Sequence, residues 1–223
     1  MVTLQEADLS KLELLLKKKI GENASVKKSE PKFDEIQRIL SRDNNVEVEL
    51  NRSISSFEGQ NIISCDSSNT KEIMVSLTKK IIAYGKSPVL VLTSVNYLVM
   101  QKLLEEKNIS LKNVFIMDTV TKNILNEKDT LQTKFIDSLR NLTQLQIKML
   151  KLIEKNSNLI FVFDSLNVLE LYHEEKIIFK FVYSLVKLLR KKQLPGFYLV
   201  HKSKTVPRLT QFFDDLIEIK RVA

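Results

Sequence analysis

The residues best placed to do chemistry lie where an apolar run gives way to a helical pattern: Cys65-Asp66-Ser67-Ser68-Asn69-Thr70-Lys71-Glu72. A turn of the pattern Gly-x-x-x-x-Gly-Lys-Ser/Thr at such a place wraps backbone N–H groups around phosphates, sends its lysine to the outer phosphates and uses its hydroxyl to hold Mg²⁺. Lys71 falls at the lysine of that pattern, whereas Cys65 and Thr70 stand at the two glycines and Glu72 at the hydroxyl. A β-branched Thr is poorly suited to the positive φ that such a loop demands. Glu72 also brings a negative charge to where a triphosphate would lie. A helix N-terminus with Lys71 beside it still attracts an anion, and Lys71 reads equally well as a surface lysine on a crossover helix.

A second segment, Leu159-Ile160-Phe161-Val162-Phe163-Asp164-Ser165-Leu166-Asn167, is an apolar strand ending in Asp. Nucleotide-hydrolysing proteins with a phosphate loop use such an Asp to support Mg²⁺, and an Asp at a strand end equally caps the turn that follows. Asp118 closes another run, Asn113 to Met117. Other catalysis has few players. There is no Gly-x-Ser-x-Gly elbow and no His-Glu-x-x-His pair, and the histidines are His173 and His201 alone. The single cysteine, Cys65, rules out an internal disulfide and a multi-cysteine zinc site. It reads as a small buried residue, His201 as an exposed loop histidine and His173 as the neighbour of a helix start. No catalytic residue and no metal site is assigned.

These residues are positioned by alternating strand and helix patterns. Six runs read as strands: Asn61 to Cys65, Pro88 to Thr93, Asn113 to Met117, Asn158 to Phe163, Gly196 to Val200 and Leu216 to Ile219. Several are apolar at every position, as expected of strands covered on both faces. Between them, helical periodicity covers Lys71 to Tyr84, Val95 to Glu106, a stretch within Lys134 to Lys155, and Glu174 to Lys192. This order predicts a parallel sheet with right-handed crossovers. In such a sheet ligands sit at the carboxyl ends of the strands, where the residues named above collect.

Residues 1–45 form a helical extension or adaptor ahead of the α/β domain at 46–223. Leu9, Leu12, Leu16 and Ile20 share one helix face, which packs on its own domain or engages a partner helix-in-groove fashion. Gly21 to Pro31 reads as a linker, and Val46, Val48 and Leu50, alternating with Glu47 and Glu49, as a half-exposed strand.

The 223 residues carry 35 Lys and Arg against 27 Asp and Glu, a net charge of +8. The excess lies late in the chain, where Arg190, Lys191, Lys192, Lys202, Lys204 and Arg208 could contact an anion or nucleic acid. A solvated helix face explains the same residues. No run of apolar residues is long enough to span a membrane, so the expectation is a soluble cytoplasmic protein without membrane insertion. Only four glycines occur, Gly21, Gly59, Gly85 and Gly196, and none falls in the Cys65–Glu72 loop.

Taken in order, the strand-loop-helix at Ile62 to Lys71, the Phe-Asp-Ser-Leu-Asn segment at Phe163 to Asn167 and the stretch Pro207 to Ile219 resemble the RecA and KaiC-like ATPase superfamily, particularly its archaeal KaiC-related branch, over residues 50–223. The resemblance implies a RecA-like three-layer α/β fold around a mainly parallel sheet. It places Ser67, Ser68, Asn69, Thr70 and Lys71 at a vestigial phosphate site, Asp164 and Ser165 at the metal-supporting position, and Asp118 among polarising carboxylates. Relatives also form rings or filaments, which implies a homo-oligomer.

With the glycines missing, the expectation is a pseudo-ATPase: a regulatory or scaffolding protein that binds a protein partner and needs no cofactor. One alternative is a switch that binds ATP and Mg²⁺ with little hydrolysis. The other is a protein that binds RNA, DNA or the ribosome through its basic C-terminal third.

Overall fold

The computed structural model describes residues 46–122, 128–201 and 206–219. The chain divides into two units, Met1–Ser41 and Arg42–Ala223, and everything described lies in the second. The helix expected at Leu9 to Ile20, the linker at Gly21 to Pro31, and Lys202 and Lys204 fall outside the described residues.

Seven strands form one sheet: β1 (Gln60–Ser64), β2 (Ser87–Leu92), β3 (Phe115–Asp118), β4 (Thr133–Phe135), β5 (Leu159–Phe163), β6 (Gly196–Val200) and β7 (Asp215–Glu218). Their order across the sheet is β4-β3-β2-β5-β6-β1-β7, and every pairing is parallel. The first strand therefore lies between the last two, paired Gln60 to Gly196 on one side and Asn61 to Asp215 on the other.

Among the described residues the helices are α1 (46–53), α2 (Thr70–Ala83), α3 (Tyr97–Glu106), α4 (Leu142–Lys155), α5 (Glu175–Lys191) and the short α6 (Val206–Leu209). They cover both faces of the sheet, and the strand side chains divide accordingly. Val89, Val91, Phe161 and Phe163 join the core under α4 and α5. Leu90, Leu92, Ile160 and Val162 join the core under α1, α2 and α3. Strands alternate their side chains between faces, so a strand buried on both needs an apolar residue at every position.

Two expectations are corrected. Residues 46–50 are helical, not a strand: Val46 and Leu50 are buried and Val48 between them is exposed. That spacing of four is the helical one, and a Val-Glu alternation over five residues satisfies both periods. The helix expected within Lys134 to Lys155 is α4, from Leu142 to Lys155, and ahead of it Thr133–Phe135 add an edge strand, β4, that no periodicity announced. His201, expected as an exposed loop residue, is half-buried. Among the described residues no helix is long and apolar enough to cross a membrane.

Two glycines serve the amino ends of the strands, away from the crevice. Gly59 has φ +66°, and a Cβ there would meet Asp214 Oδ2 at 2.8 Å. At Gly196 a Cβ would meet Gln60 Oε1 at 2.6 Å, an oxygen that accepts from the buried Tyr198 hydroxyl at 2.8 Å.

Candidate functional site

The carboxyl ends of β1, β2, β3, β5 and β6 open on one edge of the sheet, and the residues singled out in the sequence meet there. After β1 the chain has little room for a loop. Ser67–Asn69 form a single 3₁₀ turn that runs straight into α2. Asn69 N–H donates to Asp66 O at 2.9 Å, and Thr70 N–H donates to Ser67 O. The Thr70 hydroxyl bonds the same carbonyl at 3.0 Å. These are the groups a phosphate loop would turn toward its ligand, and here they close on the turn itself. Thr70 is buried, and Ser67, Ser68 and Lys71 are exposed. Lys71 lines a cleft of about 310 Å³ with Val75, Lys79, Leu103 and Lys107, on the side of α2 that faces α3.

Asp164 is fully buried, and its carboxylate points at the turn after β2. It accepts from Thr93 N at 3.2 Å, Ser94 N at 3.1 Å, Val95 N at 2.9 Å and the Ser94 hydroxyl at 2.5 Å. Burial raises its carboxyl to about 6, and the hydrogen bonds from Ser94, Val95 and Thr93 pull in the opposite direction. Thr93 returns the connection by donating its hydroxyl to the carbonyls of Asp164 and Ser165 at 3.1 and 2.9 Å. Ser165 has φ +74°, and its buried Oγ has no partner among the described residues.

Asp118 is bound in the same way. It accepts from Tyr97 N at 2.5 Å, which starts α3, from Val120 N at 2.6 Å, and from Thr121 N and its hydroxyl at 2.7 and 2.5 Å. A carboxylate that accepts at a helix start satisfies N–H groups with no partner within the helix. Asp164 is thus committed to the turn after neighbouring β2, and Asp118 to the start of α3 and to the turn that follows its own strand.

His201 and Asn167 complete the crevice, and Asn167 had no role in the sequence reading beyond its place in the Phe163–Asn167 segment. The Asn167 side chain pairs with the His201 backbone in both directions, accepting from its N–H at 2.6 Å and donating to its carbonyl at 3.1 Å. The imidazole lies against the first turn, with Nδ1 3.2 Å from Cys65 O and Nε2 3.4 Å from the Thr70 hydroxyl. Cys65 beneath it is buried, which together with Asp66 pushes its thiol up to about 12. Reactive thiols have the opposite environment. His173, at the far end of the same loop, bonds Leu139 O at 2.8 Å.

The described basic residues of the late chain do not gather. Arg190, Lys191 and Lys192 lie at the C-terminal end of α5, where Arg190 pairs with Asp214 at 2.5 Å. Arg208 pairs with Glu175 at the other end of that helix, at 2.7 Å. At 1.5 Å rise per residue the two groups are roughly 20 Å apart.

This geometry does not fit a triphosphate and its Mg²⁺. Two N–H groups of the loop are turned onto their own carbonyls, the carboxylate at the metal-supporting position is surrounded by backbone donors, and an imidazole packs on the turn.

The parallel sheet, the helices on both faces, and a loop-bearing and a carboxylate-bearing strand opening on one crevice define a parallel α/β domain with a polar crevice at its carboxyl edge. No protein-family profile matches the chain and no curated protein does. Among solved structures it is similar to the KaiC-like protein PH0186 from the hyperthermophilic archaeon Pyrococcus horikoshii OT3, at 12% identity and a TM-score of 0.46, over 65% of this chain and 61% of that one. The chain thus spans less than two thirds of that protein's length.

Proposed function

We propose that this chain is a non-catalytic RecA/KaiC-like module that works by binding a protein partner. One observation carries the reading: the two carboxylates and the Asn69 and Thr70 N–H groups at the carboxyl edge are bonded within the edge itself. Asp164 holds the β2 turn, Asp118 holds the start of α3, Asn167 holds His201, and the turn before α2 closes the N–H groups of Asn69 and Thr70. An active phosphate-transfer site needs the reverse, with donors and a carboxylate aimed at the position of the ligand. To admit a triphosphate, this crevice would have to break buried hydrogen bonds, at about 1–3 kcal/mol for each group left unpaired.

The test is a thermal melt and a calorimetric titration of the full chain with ATP and Mg²⁺. A ligand at 100 times its Kd stabilises by about 2.7 kcal/mol, enough to raise the melting midpoint by several degrees. The expected result at millimolar nucleotide is no heat and a midpoint unchanged within a degree. A saturable heat with a raised midpoint overturns the reading in favour of the nucleotide switch.

A further inference from the structure

A cleft of about 420 Å³ opens at the other end of the sheet order, between edge strand β4 and helix α4. Its apolar part is Phe115, Leu131 and Leu152, and Leu131 is 83% exposed. Around these stand Lys134, Lys148, Lys151 and Lys155, with Asp129 as the one carboxylate in the lining. Lys148, Lys151 and Lys155 share a helix face, at spacings of three and four. Asp129 is engaged by Lys148 at 2.9 Å, so the positive charge outweighs it. Lys151 and Lys155 reach the opening as exposed residues.

The outer edge of β4 narrows the choice of partner. Thr133 N donates to the Thr130 hydroxyl at 2.9 Å and Thr133 O accepts from Thr130 N at 2.8 Å. Phe135 N donates to Asp129 Oδ1 at 2.9 Å, and Phe135 O accepts from Lys148 Nζ at 2.6 Å. An incoming strand finds no backbone group there to pair with, so a partner must engage through its side chains. The lining has no arginine fork, and its one aromatic residue, Phe115, is half-buried against the core and does not present a full face for a base to stack on. Lysines around an aliphatic floor match carboxylates flanking an aliphatic side chain, and the volume falls in the usual range for a ligand pocket.

We propose that this cleft docks an acidic peptide segment of a partner protein, with an aliphatic side chain inserted over Leu131 and Leu152 and carboxylates on Lys151 and Lys155. The proposal rests on the reading of the chain as a protein-binding module. The nucleotide titration tests that reading separately, since peptide binding can fail while the nucleotide result stands.

The probe is a short fluorescent peptide of alternating glutamate and leucine, titrated into the full chain and followed by anisotropy. Saturable binding is expected that weakens as salt rises. It should drop about tenfold in the charge-reversed K151E/K155E variant, where attraction becomes repulsion, and about tenfold in Leu131→Ser, which removes the apolar contact. These residues are exposed, so both variants should melt within about two degrees of the parent. A leucine-free glutamate peptide of equal charge should bind several-fold more weakly. Absence of saturable binding, or an affinity unchanged in both variants, overturns the proposal. So does an oligonucleotide of equal charge that competes as well as the peptide, which would make the surface a nucleic-acid contact.

Discussion

Asp164 is buried among backbone donors, and burial nevertheless lifts its carboxyl to about 6, above the ordinary carboxylate value near 4. A folded-state pKa above the unfolded one means that the native state holds a proton the unfolded chain has released. Its stabilising contribution is therefore fully present below about pH 4 and is lost as pH rises through 6. An Asn at this position stays neutral throughout. In urea denaturation the wild type should gain up to about 2–3 kcal/mol relative to Asp164→Asn as pH falls from 7 to 4; a difference independent of pH would show that the carboxylate does not titrate in this window. Ser165 beside it has φ +74° and a buried hydroxyl without a partner among the described residues. Both features cost stability that glycine does not, so Ser165→Gly should stabilise by about 1 kcal/mol in the same assay. A loss of stability would mean that the hydroxyl has a use that its surroundings do not disclose. The presence of Lys71, Asp118 and Asp164 was legible in the sequence, and their connections were not. Asp164 and Ser94 are 70 residues apart, and Cys65 and His201 are 136 apart, so no local pattern records either contact.

At the scale of elements, β1, β2, β5, β6 and β7 all lie within a residue of their expected limits. In β2, β5 and β6 burial on both faces leaves a continuous apolar run. β4 has three residues, Thr-Lys-Phe, too few to show a period. The helix at 46–53 was misread because Val46 and Leu50 fit alternation and helical spacing alike; its packing decides the matter. Leu50 is wholly buried, in one core with Ile73, Leu77 and Phe197. Leu50→Ala should therefore cost about 2–4 kcal/mol. A half-exposed strand residue at that position would cost well under 1 kcal/mol, so the same denaturation measurement separates the two arrangements.

At the scale of the whole molecule, the late basic residues that the structure describes are spread along α5 and not focused. Arg190, Lys191 and Lys192 stand at one end of α5 and Arg208 at the other, two of the four already in ion pairs. A duplex that touched the first group would meet about three cations, so its log-log salt slope should not exceed about 3 in magnitude. Filter binding of a duplex between 50 and 200 mM salt would measure it. A slope near 5 or above would mean that the basic residues act as one surface, and would restore the nucleic-acid reading.

The place of β1 in the sheet also governs how the chain is made. Its Gln60 waits for Tyr198, 138 residues later, and for Asp214, 154 residues later. At roughly 5–20 residues per second, a ribosome needs on the order of ten seconds to deliver those partners. Until then β1 has neither of its neighbours to pair with. Slowed translation ahead of β6 should therefore lower the yield of soluble protein.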